Sequence, residues 1–378
     1  MKELKNLTLK CMAIGSLPHT ETKQAISLIE KDFQDIPFWP QLVKLNKNED
    51  MIFQFLEKMP SFFCENDKLF LDTEYDAFFE DFEEFFNDYE EIISNPGSAK
   101  LEKYKITRAA AFETYIDLLK RTKPDFAKGQ IVGPFTLASS LCTKNGLAAV
   151  YDETLREIIL KTLTIKALWQ IKQMKLASPD ITPIIFIDEP SISQLGTSAY
   201  VGISKSEIIS MLSEITGILK ENGAIPALHC CGKCDWTIPI AAGVEIINPD
   251  AFSFAENLSL FNTELEEFLQ NGGKIAWGIV PTLDKKALEK ITLSDLEQKF
   301  RSAIKYLTKK GINEKLVIEN SMITPSCGAG ILTVEMAEKA MELIGTNLRR
   351  FVANRHDEKA ACAMMVGSNF AGIAFAWA

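Results

Sequence analysis

The residues best able to do chemistry are a few thiols, imidazoles and carboxylates that follow short apolar runs. The run Ala224–Leu228 leads into His229-Cys230-Cys231. In an extended chain the side chains alternate, so His229 and Cys231 face one way and Cys230 the other. An imidazole and a thiolate on one face form half of a metal site, and zinc favours that pair. The run Leu316–Ile323 is followed by Thr324-Pro325-Ser326-Cys327-Gly328, where Cys327 would complete a His/Cys/Cys set. Three protein ligands, with a fourth position open or taken by a carboxylate, are the pattern of a catalytic zinc. Two plainer readings stand beside it. One is a hydrogen-bonded core histidine among buried cysteines. The other is Cys231-x-x-Cys234 as a redox pair, which would have to open a helix in a thioredoxin-like domain, with Pro239 following close behind. Cys11, Cys64, Cys142 and Cys362 read as packing residues.

Carboxylates and turn residues follow other runs. Pro183–Ile187 ends in Asp188-Glu189-Pro190, and adjacent carboxylates at a strand end point to opposite faces. One of them can bind an ammonium group or orient a neighbour; the alternative is a helix cap or a buried structural carboxylate. Leu9–Ile14 runs into Gly15-Ser16-Leu17-Pro18-His19. Gly15 lets a ligand approach the backbone, and free N–H groups with the Ser16 hydroxyl can hold a carboxylate. Gly129–Val132 leads to Gly133-Pro134, and Val244–Ile247 to Asn248-Pro249-Asp250. His19 and His356 are assigned no role.

These residues need a scaffold that brings strand ends together. The eight runs are Leu9–Ile14, Pro37–Val43, Gly129–Val132, Pro183–Ile187, Ala224–Leu228, Val244–Ile247, Lys274–Val280 and Leu316–Ile323. Continuous apolar runs mark strands buried on both faces, as in a parallel sheet. Stretches of helical period lie between them, among them Glu21–Lys31, Leu155–Leu176, Lys205–Glu221 and Ser294–Lys309. Eight β/α units read as a TIM (β/α)8 barrel, whose active site lies at the C-terminal strand ends. The runner-up, an open doubly wound sheet, lacks its G-x-G-x-x-G fingerprint. The whole chain, 1–378, reads as one barrel with a mostly helical insertion at about 49–123 after the second strand. Within it, Leu69–Ala99 carries ten acidic residues and no Lys or Arg among phenylalanines. That segment reads as an amphipathic helix with an acidic solvated face, or as a lid or partner surface.

Composition narrows the function. With 378 residues, 47% of them hydrophobic, the chain can bury a full core without staples. A net charge of −10 argues against a nucleic-acid partner. No apolar run is long enough to span a membrane and the N-terminus lacks a signal-peptide core. Eight cysteines in such a chain suggest reduced thiols and a cytoplasmic location.

Taken in order, Ile14-Gly15-Ser16, Gly133-Pro134, Asp188-Glu189-Pro190, His229-x-Cys231 and Pro325-Ser326-Cys327-Gly328 resemble the catalytic C-terminal barrel of cobalamin-independent methionine synthase. That barrel belongs to a superfamily with uroporphyrinogen decarboxylase. The resemblance spans almost the whole chain. It implies a Zn2+ ion held by His229, Cys231 and Cys327. It also implies that the Ile14-Gly15-Ser16 turn holds a substrate carboxylate, that Asp188 holds the amino group of homocysteine, and that Glu189 orients these groups. Asp250 stands where the family has a zinc-ligating Glu and is the tentative fourth ligand.

The function implied is a zinc-dependent methyltransferase that methylates a small thiol, homocysteine to methionine, from methyltetrahydrofolate or a methylcorrinoid. The family's histidine after the seventh strand is absent from Trp277-Gly278-Ile279-Val280-Pro281-Thr282. Without that acid to protonate a folate, a corrinoid donor, and with it a corrinoid protein as partner, fits at least as well. The alternatives are a non-catalytic zinc or amino-acid-binding barrel and a metal-free uroporphyrinogen decarboxylase-like enzyme.

Overall fold

The computed structural model describes residues 4–65 and 68–348. Cys362 and His356 lie outside the described residues. A short antiparallel pair, β1 (Phe62–Glu65) and β2 (Lys68–Leu71), precedes the main sheet. That sheet holds β3 (Phe126–Val132), β4 (Thr182–Asp188), β5 (Ile225–Cys230), β6 (Ile246–Pro249), β7 (Lys274–Val280) and β8 (Ser321–Pro325). The six strands are parallel and lie in sequence order. Helical crossovers such as Glu153–Ala177 and Lys205–Glu221 connect them, as in Rossmann-like α/β folds, but the winding runs in one direction.

The expected closed barrel of eight strands is corrected to this six-stranded half-barrel. The first two apolar runs form no strands. Each meets the sheet through a single bridge, Cys11 with Ile323 on β8 and Phe38 with Lys128 on β3. Pro37 and Pro40 lack the N–H groups a ladder needs, and Gly15 turns the chain at φ +148°. The last run also shifts. Asn313 caps the helix Glu314–Glu319 by accepting from the N–H groups of Lys315 and Leu316, so the strand begins only at Ser321.

The region 49–123 contains the β1–β2 pair and the helices Phe78–Ser94 and Phe112–Thr122. Between these helices lies a 3-10 segment at Ala99–Tyr104. On the acidic helix Phe78, Phe85, Tyr89 and Ile92 are buried. Asp88 pairs with Lys100 and Lys103, so the cations missing from 69–99 come from the next segment.

The inner face of the half-barrel is sorted along its length. Toward the strand starts it is apolar: Phe126, Ile184, Phe186, Ile225, Ala227, Ile246, Ala276 and Met322 form one buried cluster. Stepping by two along the same strands reaches Lys128 and Gln130, Asp188, His229, Asn248 and Thr324, all buried. The apolar half supplies the burial energy, about 1.5–3 kcal/mol for each large side chain. The polar half opens at the C-terminal strand ends.

Candidate metal centre

His229 sits in β5 and Cys231 follows the strand, with Cys230 turned to the opposite, fully buried side. Cys327 lies just past β8. One ligand atom each from His229, Cys231 and Cys327 lie within 4.8 Å of one another. The fold thus brings these three residues together.

The orientation of His229 is set by Asn248 on the neighbouring strand. His229 Nδ1 lies 2.8 Å from Asn248 Oδ1 and 3.1 Å from its main-chain oxygen. The Asn248 amide nitrogen donates to Ala276 O and, at 2.8 Å, to Thr324 Oγ1. That network fixes the carboxamide with its oxygen toward the ring, so Nδ1 is the N–H donor. Nε2 is buried and makes no hydrogen bond of ordinary geometry. Its lone pair is left for a metal, as a neighbouring oxygen partner on the other nitrogen commonly arranges.

The electrostatics of the three groups are linked. Burial opposes the charged His229 ring, but Cys231 and Asp188 outweigh it and raise its pKa to about 9. Hydrogen bonding from Cys327, then His229, holds the Cys231 thiol down at about 4. Cys327 moves the other way, raised by its contact with Cys231 and by burial.

Cys327 is held from β7. Thr282 Oγ1 accepts from Cys327 N at 3.0 Å and donates to Cys327 O at 2.8 Å. Thr282 N in turn donates to Ser326 Oγ at 3.1 Å.

The donors open into a cavity of about 260 Å³ that Ile14, Ser16, Asp188, His229, Cys231 and Cys327 line together. Larger clefts of about 590 and 720 Å³ lie elsewhere, one by Lys123 and Asp180 at the strand starts and one against the helix Phe112–Thr122. Neither includes the three donors. Asp188 ends β4 with Oδ1 buried and unpartnered; burial raises its pKa against the pull of His229 and Lys128. Ser16 Oγ accepts from Gly330 N at 3.3 Å, and Ser16 O from Ala329 N, which ties the first loop to the loop after β8. At Gly15 an added Cβ would come within 3.2 Å of Gln130 and Gln41.

Two expected residues serve differently. Glu189 accepts from the N–H groups of Phe135 and Thr136, both at 2.9 Å, and from Thr136 Oγ1. It therefore holds the start of the helix Pro134–Ser140. Burial raises its pKa to about 7 despite these donors. Asp250 caps the turn Ala251–Phe254 by accepting from Ser253 N at 3.0 Å and is not one of the three close donors. Sequence reasoning passed over Asn248, Thr282 and Lys128. The step of two from Ile246 does place Asn248 on the His229 face, but its bonds to Ala276 and Thr324 depend on the fold.

One imidazole and two thiolates fit a first-row transition metal, iron among them. A family model for the Fe-containing alcohol dehydrogenase family, C-terminal, matches residues 325–378, a stretch that includes Cys327. No curated protein matches the chain. The family indicated is therefore not methionine synthase or uroporphyrinogen decarboxylase, and that resemblance is corrected. The readings that hung on it are corrected with it: thiol S-methylation, methionine biosynthesis, homocysteine, a folate or corrinoid donor, a corrinoid partner and zinc as the metal. The non-catalytic zinc barrel and the metal-free decarboxylase-like enzyme fall by the same finding.

Proposed function

We propose that this chain is a metal-dependent enzyme acting on a small molecule, with His229 Nε2, Cys231 Sγ and Cys327 Sγ binding one transition-metal ion. The observation that carries this reading is the buried, unpartnered Nε2, fixed by Asn248 and grouped with two thiols inside 4.8 Å. Three protein donors leave a coordination position for substrate, as in catalytic rather than structural sites. Such an ion supplies Lewis acidity. The chain's own residues do the rest. Asp188 Oδ1 accepts a hydrogen bond from the substrate, Ile14 and Ser16 form the facing wall, and Asn248 keeps the imidazole oriented.

Among reaction classes, alcohol–aldehyde oxidoreduction has specific support. The matched C-terminal stretch bears that family's description and contains Cys327. One imidazole and two thiolates also serve at the catalytic metal of one alcohol dehydrogenase class. In the oxidative direction Asp188 would take the proton of the substrate hydroxyl, and a bound nicotinamide dinucleotide would supply the hydride acceptor. None of the seven described cysteines is in a disulfide, which suits a reducing compartment, and the cytoplasm is the proposed location. Among the described residues no helix is long and apolar enough to cross a membrane.

The test is metal content per chain, by mass spectrometry, for wild type and Cys327→Ala purified under reducing conditions without chelator. The expected result is about one ion in the wild type and far less in the variant. Metal-free wild-type protein that also takes up neither iron nor other divalent ions would overturn the reading.

A further inference from the structure

The pocket that holds the three donors and Asp188 is also lined by Val43, Met51, Leu283 and Ile331, with Gln41, Glu49 and Asp50 grouped on the side of Met51. We infer that the substrate is amphiphilic, with a polar reacting head at the metal donors and Asp188 and an unbranched aliphatic tail that leaves between Leu283 and Ile331. This rests on the proposed metal centre for the position of the head.

Two unpartnered polar atoms mark the floor, Asp188 Oδ1 and His229 Nε2. The mouth carries Val43, Met51, Leu283 and Ile331. Leu283 is 48% exposed and Ile331 59% exposed, on the loops that follow β7 and β8. An exposed aliphatic side chain alone means little. Here two of them meet Val43 and Met51 on one cavity that has a polar floor. Such segregation is how ligand sites fix orientation with a few polar groups and gain affinity from apolar walls. Asp188 has only oxygen acceptors to offer, which selects a head that donates a hydrogen bond, a hydroxyl in the alcohol reading. At about 30 Å³ for each water-sized group, the 260 Å³ cavity holds roughly nine such groups. A short head therefore leaves most of the pocket for the tail.

The probe is a series of straight-chain primary alcohols from ethanol to octanol, titrated calorimetrically into the whole protein. The metal content of each sample is measured in parallel. In the wild type the dissociation constant should fall about two- to fourfold per added methylene and level off once the tail passes the mouth. In the Leu283→Ser/Ile331→Ser double variant the metal content should be unchanged and the dependence on length should nearly vanish. Both positions are exposed, so folding is not at stake. The slope should survive in metal-stripped wild type, because the apolar mouth is independent of the ion. A flat series in the wild type, or a double variant with the wild-type slope, overturns the inference. Loss of metal binding with the slope intact overturns the metal centre alone.

Discussion

Nδ1 of His229 lies 2.8 Å from Oδ1 of Asn248, and that contact decides which ring nitrogen faces the thiols. Asn248 can play this part because its amide nitrogen is already committed to Ala276 O and Thr324 Oγ1. A carboxamide free to flip would offer the ring either a donor or an acceptor. This one offers only an acceptor.

Replacing Asn248 with Ala removes the side-chain part of that constraint, leaving only the main-chain oxygen at 3.1 Å, without touching a donor atom. Metal affinity should fall by about 10- to 100-fold, the usual cost of losing the group that orients a ligand. Competition against a coloured chelator measures it. Unchanged affinity in a folded Asn248→Ala protein would mean that the imidazole is positioned by something else.

The scaffold was more legible in the sequence than its closure. Lys274–Val280 is a strand with the bounds its apolar run gives, and the runs in β3 to β6 are each found within or overlapping a strand. Burial on both faces makes such runs conspicuous. The runs at Leu9–Ile14 and Pro37–Val43 are equally apolar yet pair only through isolated bridges, Cys11 and Phe38 with the sheet and Gln41 with Ser16, because hydrophobicity does not report pairing partners and proline removes donors. The shared face of His229 and Cys231 could be read from alternation, and the strand-end position of Cys327 from the run before it. Their supports could not, since Asn248 meets Thr324 and Cys327 meets Thr282 only after the strands are set side by side. The roles of the adjacent carboxylates also needed the fold: Asp188 faces the cavity, while Glu189 turns back to the helix start at Phe135, the capping alternative the sequence leaves open.

Thr282 should matter to metal binding through Cys327 alone. Its hydroxyl both accepts from and donates to the Cys327 main chain. Thr282→Val keeps the shape and removes both bonds, leaving a partly buried N–H unpaired. Stability should drop by about 1–3 kcal/mol. Metal affinity should drop by about tenfold. A stability loss without a change in affinity would show that the loop holds Cys327 in place unaided.

Glu189 should behave as a structural group. Glu189→Gln places an amide N–H2 against donors that now face carboxylate oxygens. At least one contact must be lost, at about 1–3 kcal/mol by denaturant unfolding. Metal content should stay at the wild-type level. Loss of metal with stability intact would instead move Glu189 into the site.

A buried lysine far from the metal centre gives the protein a testable pH dependence. Lys166 is fully buried, donates to Tyr104 O at 2.9 Å, and has its pKa lowered by burial from 10.5 to about 7. Between those values the unfolded chain holds the proton and the folded chain does not, so this residue makes stability rise with pH across that window. Below about pH 7 both states are protonated and the penalty for burying the charge is felt in full. Lys166→Met removes the titration, while its loss of the bond to Tyr104 is the same at every pH. The wild type should therefore gain on the variant by about 2–3 kcal/mol between pH 7 and pH 9, at 1.36 kcal/mol per unit. Urea unfolding of both proteins at the two pH values measures the difference. Parallel pH profiles would mean that Lys166 stays charged in the fold, with Tyr104 O and Lys105 O sufficient to hold the ammonium.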